Sequence, residues 1–194
     1  RYMEAIAPDE IVGLAIGTRP DCLGPEVLEL LARINRIKPG SVELGLQTAN
    51  DQTAQSFRRG YPTACFTDAV KALKKSPNIH TVAHLMIGLP NETKEDLLAT
   101  VEVVNQAKID GVKLHLLHIL EGTPYADLYR QGKIQTLTME EYGDLLIMAL
   151  KALRPNTVIH RITGDGAKAL LIAPLWSGDK KKVLNYLNKR IQQA

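Results

Sequence analysis

The sequence predicts an α/β fold in which parallel strands alternate with amphipathic helices, and three observations carry the prediction. Apolar runs of strand length recur at residues 11–17, 42–47, 81–87 and 111–117. Segments with apolar residues at helical spacing separate them. Within the strands the side chains split with period two into an apolar and a polar set. Such a pattern fits either an open doubly wound sheet or an arc of a (β/α) barrel, and in both the function sits at the carboxyl ends of the strands.

In order, the first run, closed by Thr18-Arg19-Pro20-Asp21, leads to a helix over 25–37, where Val27, Leu28, Leu31 and Ile34 form one stripe. The second strand is followed by helices over 51–57 and 66–75, separated by a turn at Gly60 to Pro62. The third strand ends at Gly88-Leu89-Pro90, and a helix then reaches about residue 109 with Thr93 as its cap and acidic residues in its first turn. After the fourth strand come a helix over 140–153, a short strand over 158–163 and a basic helix over 179–193 with Val183, Leu184, Leu187 and Ile191 on its apolar side. Gly164-Asp165-Gly166 reads as a turn, since it lacks the spacing of a phosphate-binding loop.

The chain has 194 residues, 45% hydrophobic and 23% charged, enough for one sizeable core. A net charge of +3 does not by itself imply a polyanionic partner. The apolar stretch 114–120 is too short to span a bilayer and no basic-then-apolar leader opens the sequence, so no membrane role and a cytoplasmic location are expected. Cys22 and Cys65 are too few for a disulfide framework or a closed thiolate metal site. The sequence opens on Arg1 rather than methionine, which suggests a piece of a longer chain.

Strand parity sorts the candidate site residues. Val42, Leu44 and Leu46 share a face suited to helix packing, and Glu43, Gly45 and Gln47 share the other. Lys113, His115 and Leu117 oppose Val112, Leu114 and Leu116, while His84, Met86 and Gly88 fall together. Glu43, Gln47, His84, Lys113 and His115 would then line one polar lumen, with Glu43 either contacting a ligand or pairing with Lys113. His115 and His118 fall on opposite faces unless the strand ends between them, which argues against a two-histidine metal site. A parallel sheet this short leaves an open edge, to be met by further strands or by a dimer partner. Two other readings remain open: a barrel lyase using Lys113 and His115 through a metal or Schiff base, and an RNA-binding module using Lys180, Lys181 and Lys182.

Three segments, Gly13-Leu14-Ala15-Ile16-Gly17-Thr18-Arg19-Pro20-Asp21, Glu43-Leu44-Gly45-Leu46-Gln47-Thr48 and Met86-Ile87-Gly88-Leu89-Pro90-Asn91-Glu92-Thr93, resemble the later strands of radical S-adenosylmethionine enzymes. The similarity is to uncharacterised iron-sulfur oxidoreductases related to the elongator-type and coproporphyrinogen-oxidase-type branches. His115 to His118 with Gly122-Thr123-Pro124, and His160 to Gly166 with Ala173 to Trp176, extend it over nearly the whole chain. The resemblance implies the C-terminal part of a partial (β/α) barrel over 1–154 and a C-terminal extension, a short strand and a basic helix, over 155–194. It implies S-adenosylmethionine, a [4Fe-4S] cluster whose Cys-x3-Cys-x2-Cys loop is absent from this chain, an electron donor such as flavodoxin or ferredoxin, and inactivity of this polypeptide alone. It places Gln47 and Arg59 at the cofactor, with Arg59 clamping its carboxylate, and Gly88 in close backbone approach to it; His84 and Thr18 are expected there too, and Glu43, Lys113, His115 and His160 are expected around the substrate, with no metal ligand in the chain. Gly17 and His84 depart from the acidic residues that related branches carry at those positions.

Overall fold

The computed structural model describes residues 1–164 and 166–194; the Asp165 part of the expected turn lies outside the described residues. Five strands form one parallel sheet: β1 (Leu14–Thr18), β2 (Gly40–Gln47), β3 (His80–Ile87), β4 (Gly111–Leu116) and β6 (Val158–Arg161). A two-stranded antiparallel sheet pairs β5 (Ile119–Leu120) with β7 (Leu171–Ala173). The helices are α1 (Tyr2–Ala5), α2 (Pro25–Ile37), α3 (Asp51–Ser56), α4 (Thr63–Leu73), α5 (Lys94–Gln106), α6 (Pro124–Arg130), α7 (Met139–Ala152) and α8 (Lys180–Gln192).

The sheet order β1-β2-β3-β4-β6 runs one way with no reversal. Right-handed crossovers that always step in the same direction put every helix on the same side. This excludes the doubly wound alternative, whose strand order reverses at a switch point, and leaves an arc of a barrel. The outer face carries Val42, Leu44, Leu46, Ala83, Leu85, Val112 and Leu114, all essentially inaccessible to water. Against them pack Phe66 and Val70 of α4, Val101 and Val104 of α5, and Tyr142 and Leu146 of α7. Helix α8 closes on α7 through Val183 and Leu187, where Gly143 leaves room for the Tyr186 ring. A smaller cluster of Leu89, Leu117, Ile119, Ala126, Ile134 and Ala173 sits beneath α6.

Local sequence chemistry sets the helix starts. Asn50 caps α3 by accepting from the amides of Gln52 and Thr53, and its own side-chain amide donates to Asp96, tying α3 to the start of α5. Thr93 and Asp96 form a reciprocal capping box on α5. Thr93→Ala is therefore expected to cost about 1 kcal/mol, read as a lower urea midpoint at unchanged slope. The expected boundaries hold to within a few residues. Helix α4 starts at Thr63, earlier than its apolar stripe, because Pro62 serves as its N-cap. Helix α6 and the β5–β7 pair were not foreseen: strands of two and three residues carry no period, although Thr123-Pro124 is a cap followed by an N1 proline. Among the described residues no helix is long and apolar enough to cross a membrane.

Candidate functional site

The inner face of the sheet is built as strand parity requires. Register places Gly45 beside His84, His84 beside Lys113, and Met86 beside His115. The Glu43 carboxylate reaches across β3 and holds both neighbours, with His84 Nε2 2.7 Å and Lys113 Nζ 2.5 Å from Oε2. Burial alone would raise its pKa; hydrogen bonds from Lys113 and His84 outweigh burial and hold it below the usual carboxylate value. The His84 ring stacks on His115 with centroids 5.1 Å apart and planes 25° apart. Burial, followed by the fields of His84, Arg161 and Lys113, pushes His115 down to about 4, so it is a neutral imidazole at pH 7. Its Nε2 is buried with no protein partner.

At the carboxyl end of β2 the Gln47 side chain folds back over Gly45: a Cβ at Gly45 would lie 2.6 Å from Gln47 Nε2 and 3.0 Å from Tyr61 Oη. Tyr61 Oη donates to the Gly45 carbonyl at 2.9 Å. Gln47 Oε1 is buried and unpartnered. Two guanidiniums approach the Tyr61 ring, Arg19 at 5.1 Å and Arg59 at 5.0 Å from its centroid. Arg19 itself is held by Asp21.

Arg59 is placed differently from the expected carboxylate clamp. Its side chain is 2% exposed, and all five N–H donors are taken inside the protein. Nε donates to Tyr61 O at 2.9 Å, Nη1 to Leu46 O and Thr48 O at 2.6 Å each, and Nη2 to Asp51 Oδ1 at 2.7 Å and Thr63 Oγ1 at 3.2 Å. A guanidinium so engaged has no edge left for a ligand. Its sequence signal, an arginine after a short helix, is the same whether the side chain turns outward or inward.

Thr18 stands half-buried at the end of edge strand β1. Gly88 adopts φ +91°, and a Cβ there would meet Leu137 at 2.9 Å, so the position is reserved for glycine on both counts. A cavity of about 680 Å³ lies beside Gly88, but it opens between α5, α7 and the segment 132–137, and Glu43, Gln47, Lys113 and His115 do not line it. The inner face is partly covered, with Glu43 18% and Lys113 19% exposed and Gly164 lying against His115. His160 sits toward the amino end of the sheet, where its ring crosses Gly111 to meet His80, Nε2 to Nε2 at 3.2 Å, and it remains within electrostatic reach of Lys113, Glu43 and His84. Strand β4 ends at Leu116, so strand alternation no longer separates His115 from His118, and both rings approach Gly164. Leu117, expected on the inner face, instead joins the cluster under α6. Among the described residues no three histidine, cysteine or acidic side chains converge as a metal site.

Sequence reasoning passed over Tyr61 and gave Glu92 no role. Burial pushes the Glu92 carboxyl up, against hydrogen bonds from Thr48 and Thr53, and its Oε1 has no partner. The only signal for either was nearness to Arg59 and to Gly88-Leu89-Pro90.

Comparison with known proteins meets this geometry. Residues 2–104 match the Radical SAM superfamily and residues 109–193 the Radical_SAM C-terminal domain. The chain is 38% identical over 192 residues to the uncharacterized protein YtqA of Bacillus subtilis, covering 99% of this chain and 59% of the relative. It is 35% identical over 176 residues to protein YhcC of Escherichia coli, covering 90% and 57%. It thus spans about three fifths of the length of these relatives. The solved structure of archaeal Methanocaldococcus infernus Elp3, 22% identical, superposes with a TM-score of 0.76 over 92% of this chain and 42% of that one, which shows the shared fold. With a family match over more than half of its residues, an unreversed parallel arc and a polar inner face, the chain belongs to the radical SAM superfamily.

Proposed function

We propose that this chain forms the S-adenosylmethionine-facing and substrate-facing part of a radical S-adenosylmethionine enzyme. A bound cluster and S-adenosylmethionine would supply the radical hydrogen-abstraction chemistry of such an enzyme. The [4Fe-4S] cluster does not fit the residues present, because Cys22 and Cys65 are fewer than the three thiolates such a site takes; its ligands would come from sequence outside these 194 residues.

S-adenosylmethionine fits better, and the observation that carries the reading is the buried, unpartnered Gln47 Oε1 above Gly45 at the carboxyl end of the sheet. A buried amide oxygen without a partner costs free energy unless a ligand donor meets it. A ribose hydroxyl is such a donor. Thr18 and Gly88, at the carboxyl ends of the neighbouring strands, are kept in this proposal as cofactor contacts, and His84, in register with Gly45, stands between Gln47 and the substrate side. There Glu43 pairs with Lys113 and hydrogen-bonds His84, and neutral His115 offers Nε2 to substrate. Lys113 is engaged with Glu43, so the Schiff-base reading finds no support in the geometry. His160, beside His80 toward the amino end of the sheet, borders this group through the fields of Lys113, Glu43 and His84.

The proposal carries a one-electron donor such as flavodoxin or ferredoxin. It also carries an RNA substrate, met by the lysine-rich start of α8, and pairing of two copies through the open β1 edge. The test is anaerobic iron-sulfur reconstitution of a longer protein that contains this chain and the cysteine loop. It should form a [4Fe-4S] chromophore and release 5′-deoxyadenosine, whereas the 194-residue chain should do neither. Cluster formation without 5′-deoxyadenosine, or its release by the chain alone, would refute the assignment.

A further inference from the structure

Gln47 is one of the few non-glycine residues of the chain with a left-handed backbone, φ +59°. The amide of Thr48 donates to the carbonyl of Leu46 at 2.7 Å, so Gln47 is the apex of a three-residue turn closed from i to i+2. With a positive φ at its centre this is the rarer and strained form of the γ-turn. Glutamine has no intrinsic preference for it. Strain of this kind persists only where surrounding contacts impose it, and it gathers at sites where a side chain must be aimed.

Arg59 supplies those contacts. Its Nη1 donates at 2.6 Å to the carbonyls on either side of the apex, Leu46 O and Thr48 O. Nη2 and Nε fasten the same guanidinium to Asp51, Thr63 and Tyr61. Tyr61 in turn bonds the Gly45 carbonyl over which the Gln47 amide lies. One planar group thus holds the turn from both sides and holds the ring that borders it. We infer that Arg59 is a positioning residue: it clasps the γ-turn at Gln47 and so aims the Gln47 amide across Gly45 at the ligand position.

The ligand half of this statement rests on the proposed function; the clasp does not. If Arg59 works by imposing the left-handed turn, its loss should matter less once the apex is glycine, which adopts positive φ without strain. The experiment is a double-mutant cycle on the 194-residue chain by urea denaturation, using Arg59→Lys, Gln47→Gly and the double variant. A lysine ammonium cannot span both carbonyls as the guanidinium fork does. Arg59→Lys should lower the folding equilibrium constant by tenfold or more in the wild-type background and by less than about threefold in the Gln47→Gly background. Equal losses in both backgrounds would make Arg59 a mere anchor of the loop and overturn the inference. Should Arg59→Lys alone fail to fold, recovery of folding in the double variant supports the clasp, and failure of both overturns it. A cycle that couples as expected, alongside a longer protein that binds no S-adenosylmethionine, would retain the clasp and discard the proposed cofactor.

Discussion

Glu43→Ala is expected to destabilise the chain by about 2 kcal/mol at pH 7, since it strands Lys113 and His84 on a partly dried face. A fully buried pair loses roughly 3–5 kcal/mol when one partner is removed. The Glu43 side chain is 18% exposed and that of Lys113 19%, so water recovers part of this cost. Glu43→Gln keeps an acceptor without the charge and should lose about half as much. The pH dependence has a definite sign. Because the folded state holds the Glu43 carboxyl below its usual value, its contribution is complete above the unfolded value near 4.3 and is lost as pH falls through the folded one. The variant should therefore lose the steep acid limb below about pH 4.5 that this group gives the parent. His115 adds to acid instability over a separate window, from its usual value near 6.5 down to about 4, because the folded protein resists its protonation. Urea titrations at pH 7, 5 and 4 separate the two, and an unchanged stability of Glu43→Ala at pH 7 would refute a stabilising Glu43–Lys113 pair.

Gly45→Ala should leave the fold nearly intact and cripple the site. The new Cβ would collide with Gln47 Nε2 at 2.6 Å and crowd Tyr61 Oη at 3.0 Å, both far ends of mobile side chains. Those side chains can move, so the stability change should stay within about 1 kcal/mol, partly offset by the smaller conformational entropy of unfolded alanine. The Gln47 amide would lose its seat, and S-adenosylmethionine affinity in the longer enzyme should fall by about tenfold or more, the worth of one well-placed hydrogen bond. Calorimetric titration checks it. Undiminished affinity would remove Gln47 from the cofactor site.

The inner face was legible from residue order because a strand alternates with period two. Once Val42, Leu44 and Leu46 are assigned to the core, Glu43, Gly45 and Gln47 can go nowhere else. The same rule brought His84, Lys113 and His115 to one surface, and it failed where strands end, at Leu117 and His118. It was also blind to loops. Nothing in the order Arg58-Arg59-Gly60-Tyr61 tells which arginine turns inward, and the answer depends on carbonyls contributed by β2 and a carboxylate contributed by α3.

What the sequence determined by itself was the succession of strands and helices, the face each strand turns to the helices, and the family resemblance, all of which rest on local period and local motif. What only the tertiary structure decided was the sense of the sheet, a one-way arc instead of a doubly wound layer, together with the burial of Arg59, the meeting of His160 with His80, and the seat of Gln47 on Gly45. The reason is range. Periodicity acts between residues two to four apart, whereas these features are fixed by hydrogen bonds and contacts between strands and loops that meet only when the chain has folded.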